Sequence, residues 1–281
     1  MHCMTDQEAR YDAIAEGYAR WWSPVHRSAT LALLDEVAPD MEAGDWRILD
    51  VGCGTGAMAV DAVRRWPAVE VDAVDASGGM LAIARSEAKA LATGGRARLR
   101  FTQALADELP FEDGIFNLAV SAFVLQLVPS RFRALREMRR VLRPGGRLAY
   151  VTWLRGGDRF AADEVYDDVR REIGLEPRWD TDDGIGDDTD DLASPGAAVA
   201  QLRRAGFAEA RARAETLEHQ FTPDGYLGFV ARFDDADEFA TLEPARREAL
   251  EHVLLERLQR LPDQRMRMRL PIVYATGIRR R

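Results

Sequence analysis

The stretch Ile48–Val60, "ILDVGCGTGAMAV", carries glycines at positions 52, 54 and 56, directly after a short apolar run. The run is too short for a helix and ends at a glycine, so it predicts a buried strand, and the apolar residues at helical spacing behind the glycines predict a helix. A strand that enters a glycine-rich turn and then a helix brings main-chain N–H groups to the carboxyl edge of a sheet. The stretch therefore predicts a site where a small molecule approaches the backbone closely.

The spacing around this turn indicates a nucleoside ligand. Gly52, Gly54 and Ala57 satisfy the dinucleotide-binding pattern G-x-G-x-x-G/A, and Asp75 follows about 20 residues later at the end of the next apolar run. A carboxylate at that place can accept both hydroxyl groups of a ribose. The spacing fits a nicotinamide cofactor and an adenosyl cofactor equally well, so it leaves the chemistry open.

Apolar runs and helical patterns alternate along the chain, which predicts an α/β fold with a parallel sheet and right-handed crossovers. The predicted strands are 47–51, 69–75, 97–104, 115–125, 147–153, 209–221 and 270–280. The predicted helices are two N-terminal ones interrupted at Ser23-Pro24, then 57–66, 78–91, one from Ser130 that Pro144 and Gly145 end, 159–174, 197–206 and 244–261.

Four ordered motifs add information that spacing alone does not give. "LDVGCGTG", "VDAVDASGGML", "ADELPFEDGIFNLAVS" and "REMRRVLRPGGRLAYVTW" resemble the successive motifs of class I S-adenosylmethionine-dependent methyltransferases. The resemblance is closest to the small-molecule branch that includes ubiquinone and menaquinone methyltransferases, and it extends from Tyr11 to about Trp153. It implies a Rossmann-like three-layer sandwich with a seven-stranded, mostly parallel sheet whose last strand, here 270–280, is antiparallel.

The resemblance also implies a division of the chain. Residues 1–45 would form an N-terminal helical lid, 46–155 the cofactor-binding core, 156–195 an insertion or substrate cap with an acidic loop, and 196–281 the C-terminal completion of the core.

The cofactor implied by the resemblance is S-adenosylmethionine, with S-adenosylhomocysteine as its product. The implied contacts are Asp50, Gly52, Cys53 and Gly54 around the methionine portion, Asp75 on the ribose, Ala76 and Met80 beside the adenine, Ser121 and Phe123 beside the sulfonium and the substrate, and Tyr11 and Tyr18 in the lid. Relatives often carry an acidic residue for the adenine amino group where this chain has Leu105. We therefore expect the main chain around Leu105 and Ala106 to hold the adenine.

Two residues are candidates for a catalytic role. His26 follows the lid aromatics and is a candidate general base, with an exposed or helix-capping histidine as the alternative interpretation. Gln126 stands where relatives often carry a histidine. Because a sulfonium is already a strong methyl electrophile, alignment of the acceptor and exclusion of water are the main tasks, and a base is not obligatory.

The leading functional hypothesis is methyl transfer from S-adenosylmethionine to O, N or C of a small-molecule metabolite by in-line displacement. Two alternatives remain at this point. One is an NAD(P)-dependent oxidoreductase, which the 45 residues before the glycine strand disfavour. The other is a catalytically silent S-adenosylmethionine-binding module, suggested by Leu105 and Gln126.

The composition narrows the class of partners. The net charge of −9 disfavours nucleic acid and anionic membranes, and "SAFV" at 121–124 lacks the motif of amino-directed nucleic-acid methyltransferases. Two cysteines and no long apolar run predict a cytoplasmic protein without a disulfide framework or a membrane span. No metal is predicted, since the acidic loop 180–191 fails the EF-hand register. A homodimer is compatible with the sequence but not indicated by it.

Overall fold

A mixed sheet of seven strands carries the glycine-rich turn at its centre, as seen in a computed structural model of the chain. The structure describes residues 6–38, 46–66, 68–91, 98–177 and 192–280. The strands are β1 (Arg47–Val51), β2 (Glu70–Asp75), β3 (Leu99–Gln103), β4 (Phe116–Ala122), β5 (Leu142–Trp153), β6 (Phe207–Gln220) and β7 (Arg267–Arg279).

Helices cover the sheet on both faces and form an additional layer beyond the carboxyl ends of its strands. The α-helices are α1 (Asp6–Gly17), α2 (Ser23–Val37), α3 (Ala57–Arg65), α4 (Gly78–Glu87), α5 (Arg131–Val141), α6 (Ala161–Glu172), α7 (Pro195–Arg204), α8 (Pro223–Phe229), α9 (Ala236–Thr241) and α10 (Pro244–Leu258). Two segments are π-helical, Tyr18–Trp22 between α1 and α2, and Val230–Asp234 between α8 and α9.

The strand order is β3-β2-β1-β4-β5-β7-β6, and it confirms the predicted fold class. β1 pairs in parallel with β2 on one side and β4 on the other. β7 lies between β5 and β6 and is antiparallel to both, as the resemblance implied. Because the chain order reverses on either side of β1, loops that leave β1 and β4 separate there and open a crevice at the carboxyl edge of the sheet.

Most of the strand boundaries differ from the sequence prediction by one to five residues, and two of the differences have a clear structural reason. β4 ends at Ala122, three residues early, because Phe123 adopts a left-handed backbone conformation (φ 56°) that a strand does not accommodate. β5 begins at Leu142, five residues early, since Leu142 pairs with Phe116 across a bulge. Pro144 therefore lies within an extended segment and does not itself end helix α5.

The layer above the sheet is assembled from distant parts of the chain. Helix α6, from the predicted insertion 156–195, bonds to residues of the predicted C-terminal segment: Arg170 donates to Glu238 (2.5 Å) and Tyr226 donates to Asp163 (2.5 Å). Helices α8 and α9 were not predicted. The acidic loop 180–191 lies outside the described residues, so its orientation stays open.

None of the helices within the described ranges combines the length and the apolar character needed to cross a membrane.

Candidate functional site

The glycine turn after β1 is held against the end of β2. The N–H groups of Gly52 and Cys53 both donate to the carbonyl oxygen of Val74, at 2.8 and 2.9 Å. Gly52 has a positive φ of 71°, and a Cβ there would lie only 2.1 Å from a methyl carbon of Val124. Glycine at this position therefore lets the loop pass directly beside the segment that follows β4.

Asp75, at the end of β2, ties the same turn to the next loop. Its Oδ2 accepts from the N–H of Gly54 at 2.7 Å and its Oδ1 accepts from the N–H of Ser77 at 2.9 Å. Burial raises the pKa of the Asp75 carboxyl, while these amide hydrogen bonds act in the opposite direction. A carboxylate oxygen can accept more than one hydrogen bond, so Asp75 can still receive two ligand hydroxyl groups.

A cavity of about 420 Å³ opens at this edge of the sheet. Ten of the predicted site residues line it: Tyr11, Tyr18, Gly52, Gly54, Asp75, Ala76, Met80, Leu105, Ala106 and Phe123. Apart from Asp75, these residues contribute mainly apolar, aromatic or glycine surface. Residues from the ends of β1, β2, β3 and β4 and from the N-terminal helical segment therefore meet around one space.

Helix α1 is fixed over this large cavity by a contact that the sequence analysis missed. Asp12 Oδ1 accepts from the hydroxyl of Ser77 at 2.5 Å and from the N–H of Gly79 at 2.8 Å. These bonds lower the pKa of the Asp12 carboxyl. The available signal was the N-terminus of α4, whose free amide groups attract a carboxylate. The contact brings Tyr11 and Tyr18 over the cavity, with their ring centroids 6.2 Å apart.

A second, smaller cavity of about 50 Å³ adjoins the first. Three more predicted residues line it, namely His26, Asp50 and Cys53. The two cavities share Tyr18, Gly52, Gly54, Ala122 and Phe123 in their walls. They therefore form two chambers of one site, with the glycine turn between them.

Asp50 is a buried carboxylate without a hydrogen-bond partner. It is 1% exposed, and neither of its oxygen atoms is bonded by any group in the described part of the chain. Burial, and secondarily the charge of Asp75, raise the pKa of Asp50 to about 8, while the nearby Ala59 amide acts in the opposite direction. A buried carboxylate is costly unless it is paired. The small cavity is therefore suited to a ligand that brings a positive charge to Asp50.

His26 is buried, so the interpretation of an exposed or capping histidine is wrong. Its side chain is 5% exposed, and its ring stacks on Phe123 with centroids 4.2 Å apart. Nδ1 forms a 3.2 Å hydrogen bond with the hydroxyl of Tyr18, whereas Nε2 has no partner among the described residues. Burial lowers the pKa of His26 to about 3, so the ring is neutral at physiological pH. Its role as a general base stays a prediction.

Two predicted residues do not line either cavity. Ser121 is fully buried, and its hydroxyl donates to the carbonyl oxygen of Val51 at 2.9 Å. The Gln126 side chain donates to the carbonyl oxygen of Phe123 at 2.7 Å and accepts from the hydroxyl of Thr152 at 2.6 Å. Gln126 thus braces the left-handed turn at Phe123, and its predicted catalytic role stays a prediction.

The large cavity is also lined by an acidic residue that was not predicted from the sequence. This residue is Asp107. It follows by two residues Leu105, the position at which relatives often carry an acidic side chain. It pairs with Arg133 at 3.6 Å, and Arg133 also lines the cavity. In the described ranges, no cluster of three or more His, Cys, Asp or Glu side chains is arranged to hold a metal ion.

The core of the site matches a family of known proteins. Residues 48–146 fit a family model described as a methyltransferase domain. A ubiquinone/menaquinone biosynthesis C-methyltransferase from Brucella anthropi is 39% identical over 126 residues, which cover 44% of this chain and 46% of that protein. A demethylmenaquinone methyltransferase from Thermus thermophilus is 42% identical over 111 residues, covering 40% of this chain and 49% of that protein. The matched stretch thus spans about half the length of these curated relatives.

A solved structure extends the likeness of fold to the rest of the chain. Phosphoethanolamine N-methyltransferase 2 of Haemonchus contortus, in complex with phosphomonomethylethanolamine and S-adenosylhomocysteine, superposes with a TM-score of 0.57 at 19% identity. The match covers 99% of this chain and 61% of that protein. Residues 48–146 are thus similar in sequence to methyltransferase domains, and the fold of the chain is similar to that of a solved methyltransferase.

Proposed function

We propose that this protein transfers a methyl group from S-adenosylmethionine to a small-molecule acceptor. The observation that carries the proposal is the pair of adjoining cavities at the carboxyl ends of β1, β2 and β4. The large one is mainly apolar and contains the carboxylate of Asp75, which two main-chain N–H groups bond, and the small one contains the unpartnered carboxylate Asp50. S-adenosylmethionine joins an adenosyl group, which suits the apolar cavity with Asp75, to an amino-acid group, whose ammonium suits the cavity with Asp50.

In this proposal the large cavity holds the adenosine. Asp75 would accept the ribose hydroxyl groups, while Ala76 and Met80 on one side and Leu105 and Ala106 on the other would pack against the adenine. The apolar walls favour a planar heterocycle because they remove its faces from water. This assignment is the one that the resemblance implied for these residues.

The small cavity would hold the methionine portion. Asp50 and Cys53 face that space, and the burial that raises the pKa of Asp50 also strengthens its attraction for an ammonium group. Burial likewise raises the pKa of the Cys53 thiol, so that residue contributes apolar contact and not charge. The two chambers together fit the cofactor.

The chain's own residues then have two tasks, positioning and the exclusion of water. S-adenosylmethionine, when bound, would supply a methyl group on a positively charged sulfur. The acceptor would bond to the methyl carbon in line as its bond to sulfur breaks, and S-adenosylhomocysteine would leave. Tyr18, Gly54 and Phe123 border both chambers and therefore surround the place where the reacting groups meet. Helix α1, held by Asp12, covers that place and limits the access of water.

We propose an apolar or aromatic acceptor, bound beneath the lid and the cap. An aromatic cluster lies there: Trp22 stacks on Phe229 with ring centroids 5.2 Å apart, and Trp153 packs on Phe123 at 4.4 Å. Trp22 and Trp153 are only partly buried. The acceptor atom is O, N or C, and the reaction takes place in the cytoplasm, in keeping with the acidic, cysteine-poor composition.

The test is a methyl-transfer screen with isotopically labelled S-adenosylmethionine against phenols, catechols, hydroquinones, amines and carboxylic acids. We expect label in at least one class of acceptor and stoichiometric formation of S-adenosylhomocysteine. Binding of the cofactor without transfer to any acceptor would favour the silent module. Absence of binding of S-adenosylmethionine and S-adenosylhomocysteine in calorimetry would overturn the proposal.

A further inference from the structure

Three buried polar atoms without partners belong to residues that line the small cavity. They are the two carboxylate oxygens of Asp50 and Nε2 of His26, and both side chains are more than nine-tenths buried. Asp50 and His26 do not bond to each other, although both face the same space. Unpaired buried polar groups are rare in folded proteins and call for a ligand or another explanation.

The proton on His26 can be assigned from its bond to Tyr18. The ring is neutral and therefore carries one N–H. Within the described residues, the Tyr18 hydroxyl has no hydrogen-bond partner other than His26 Nδ1. If Nδ1 carried the proton, the Tyr18 hydroxyl hydrogen would have no acceptor among the described residues. If Tyr18 donates to Nδ1, the hydroxyl hydrogen and Nδ1 are both satisfied, and the ring proton resides on Nε2.

His26 then carries an N–H donor in a residue that lines the small cavity, and the same cavity is lined by the carboxylate residue Asp50. A ligand that carries an anionic acceptor and a cationic donor on one short backbone satisfies both groups, and this is the chemistry of an α-amino acid. The cavity is also lined by Ala57 and Met58 in the first turn of α3, a nine-residue helix. The N-terminus of a helix favours an anion.

We propose that His26 donates a hydrogen bond from Nε2 to the carboxylate of the cofactor's amino-acid end, while Asp50 receives the ammonium group. His26 is then a cofactor-binding residue and not the general base. The inference rests on the proposed function, because it assumes that the small cavity receives the methionine portion. Tyr18 is a positioning residue here, since it fixes which ring nitrogen carries the proton.

The experiment compares two ligands in calorimetric titrations, S-adenosylhomocysteine and 5′-methylthioadenosine, which lacks the amino-acid end. His26→Phe keeps an aromatic ring on Phe123 and removes the donor. We expect it to weaken S-adenosylhomocysteine about 10- to 100-fold, as for loss of a hydrogen bond to a charged group, and to leave 5′-methylthioadenosine unchanged. His26→Gln, which retains an N–H donor, should recover part of the loss.

The control is His252→Phe on the exposed side of α10, which should change neither affinity. Unchanged binding of 5′-methylthioadenosine to His26→Phe also reports that the site is folded. The inference is overturned if His26→Phe binds S-adenosylhomocysteine with the affinity of the wild type, which is the result expected of a base that acts only on the acceptor. It is also overturned if the substitution lowers the affinity for both ligands equally. If the wild type binds neither ligand, the proposed function itself fails.

Discussion

The two chambers of the site differ in how far their polar groups are satisfied by the protein alone. In the large cavity, each oxygen of Asp75 accepts a main-chain hydrogen bond, and the other walls are mainly apolar. In the small cavity, Asp50 and His26 Nε2 have no partner among the described residues. The two carboxylates belong to adjacent parallel strands, so the difference does not come from the fold but from the loops around each residue.

The difference shows how one fold can give two carboxylates separate tasks. Asp75 is held in place by main-chain N–H groups, and it can accept hydrogen bonds from neutral hydroxyl groups while its own charge stays the same. For Asp50, in contrast, burial destabilises the ionised form, and in the proposal the ammonium group of the ligand would stabilise it. The adenosine end should therefore bind to a formed surface, and the amino-acid end should carry the larger electrostatic contribution.

Removal of the Asp50 charge should give the largest effect. Asp50→Asn retains the shape but loses the partner for the ammonium group, and we expect S-adenosylhomocysteine to bind about 100-fold or more weakly, the range for truncation of a buried charge pair. 5′-Methylthioadenosine should bind as before. Isothermal titration calorimetry of both ligands provides the measurement, and an equal loss for both would remove the distinction between the chambers.

Asp75→Ala should give the next largest effect, with the opposite pattern. We expect about a 10- to 100-fold loss for both ligands, because each contains the ribose and because the N–H groups of Gly54 and Ser77 lose their acceptor. The ratio of the two affinities should stay within about threefold of the wild-type ratio. A loss of affinity confined to S-adenosylhomocysteine would show that Asp75 contacts the amino-acid end of the ligand and not the ribose.

The pH dependence of binding should also separate the chambers. The raised pKa of Asp50, about 8, means that the carboxyl is protonated in the empty site at pH 6. The ammonium group favours the ionised form, so S-adenosylhomocysteine should bind more tightly as pH rises from 6 to 7.5, by up to about tenfold per unit. Asp75 has a raised pKa as well, whereas His26 stays neutral throughout this range.

Asp50→Asn provides the control for that titration. It should flatten most of the slope for S-adenosylhomocysteine, and 5′-methylthioadenosine should show only the weaker dependence due to Asp75. A wild-type affinity for S-adenosylhomocysteine that is constant from pH 6 to 7.5 would refute the protonated state of Asp50 in the empty site.

The brace at Phe123 lies between the chambers, and its loss should have the smallest effect of the set. Gln126→Ala removes the donor to the Phe123 carbonyl and leaves the left-handed turn less constrained. We expect the affinity for S-adenosylhomocysteine to stay within about threefold and kcat, once an acceptor is known, to fall about 3- to 10-fold. Thr152→Val, which removes the hydroxyl that orients Gln126, should reproduce a weaker form of the same change in kcat. A loss of affinity without a change in kcat would contradict a bracing role.

The sequence predicted the parts of the site that depend on local order. The glycine turn, Asp75 and the residues after β2 and β3 follow their strands directly, so parallel pairing alone brings them to one edge of the sheet. The left-handed conformation of Phe123 was not predicted, because the contacts that stabilise it come from Val151 and Gln126 after the chain has folded.

The remaining features depend on contacts between segments far apart in the chain. The Asp12 contact joins α1 to α4, and the layer above the sheet depends on pairs such as Arg170 with Glu238. A hydrophobic or charge pattern within one segment does not identify such partners. The same limit applies to Asp50 and His26: their lack of partners is a property of the packed structure and not of the sequence.

The most direct test of the account is a crystal structure of the protein with S-adenosylhomocysteine. We expect the adenosine in the large cavity with its ribose hydroxyl groups on Asp75, and the ammonium group in the small cavity within about 3 Å of an Asp50 oxygen. The claim that the two chambers bind the two halves of one cofactor would be contradicted by a ligand whose amino-acid end lies outside the small cavity and points away from Asp50.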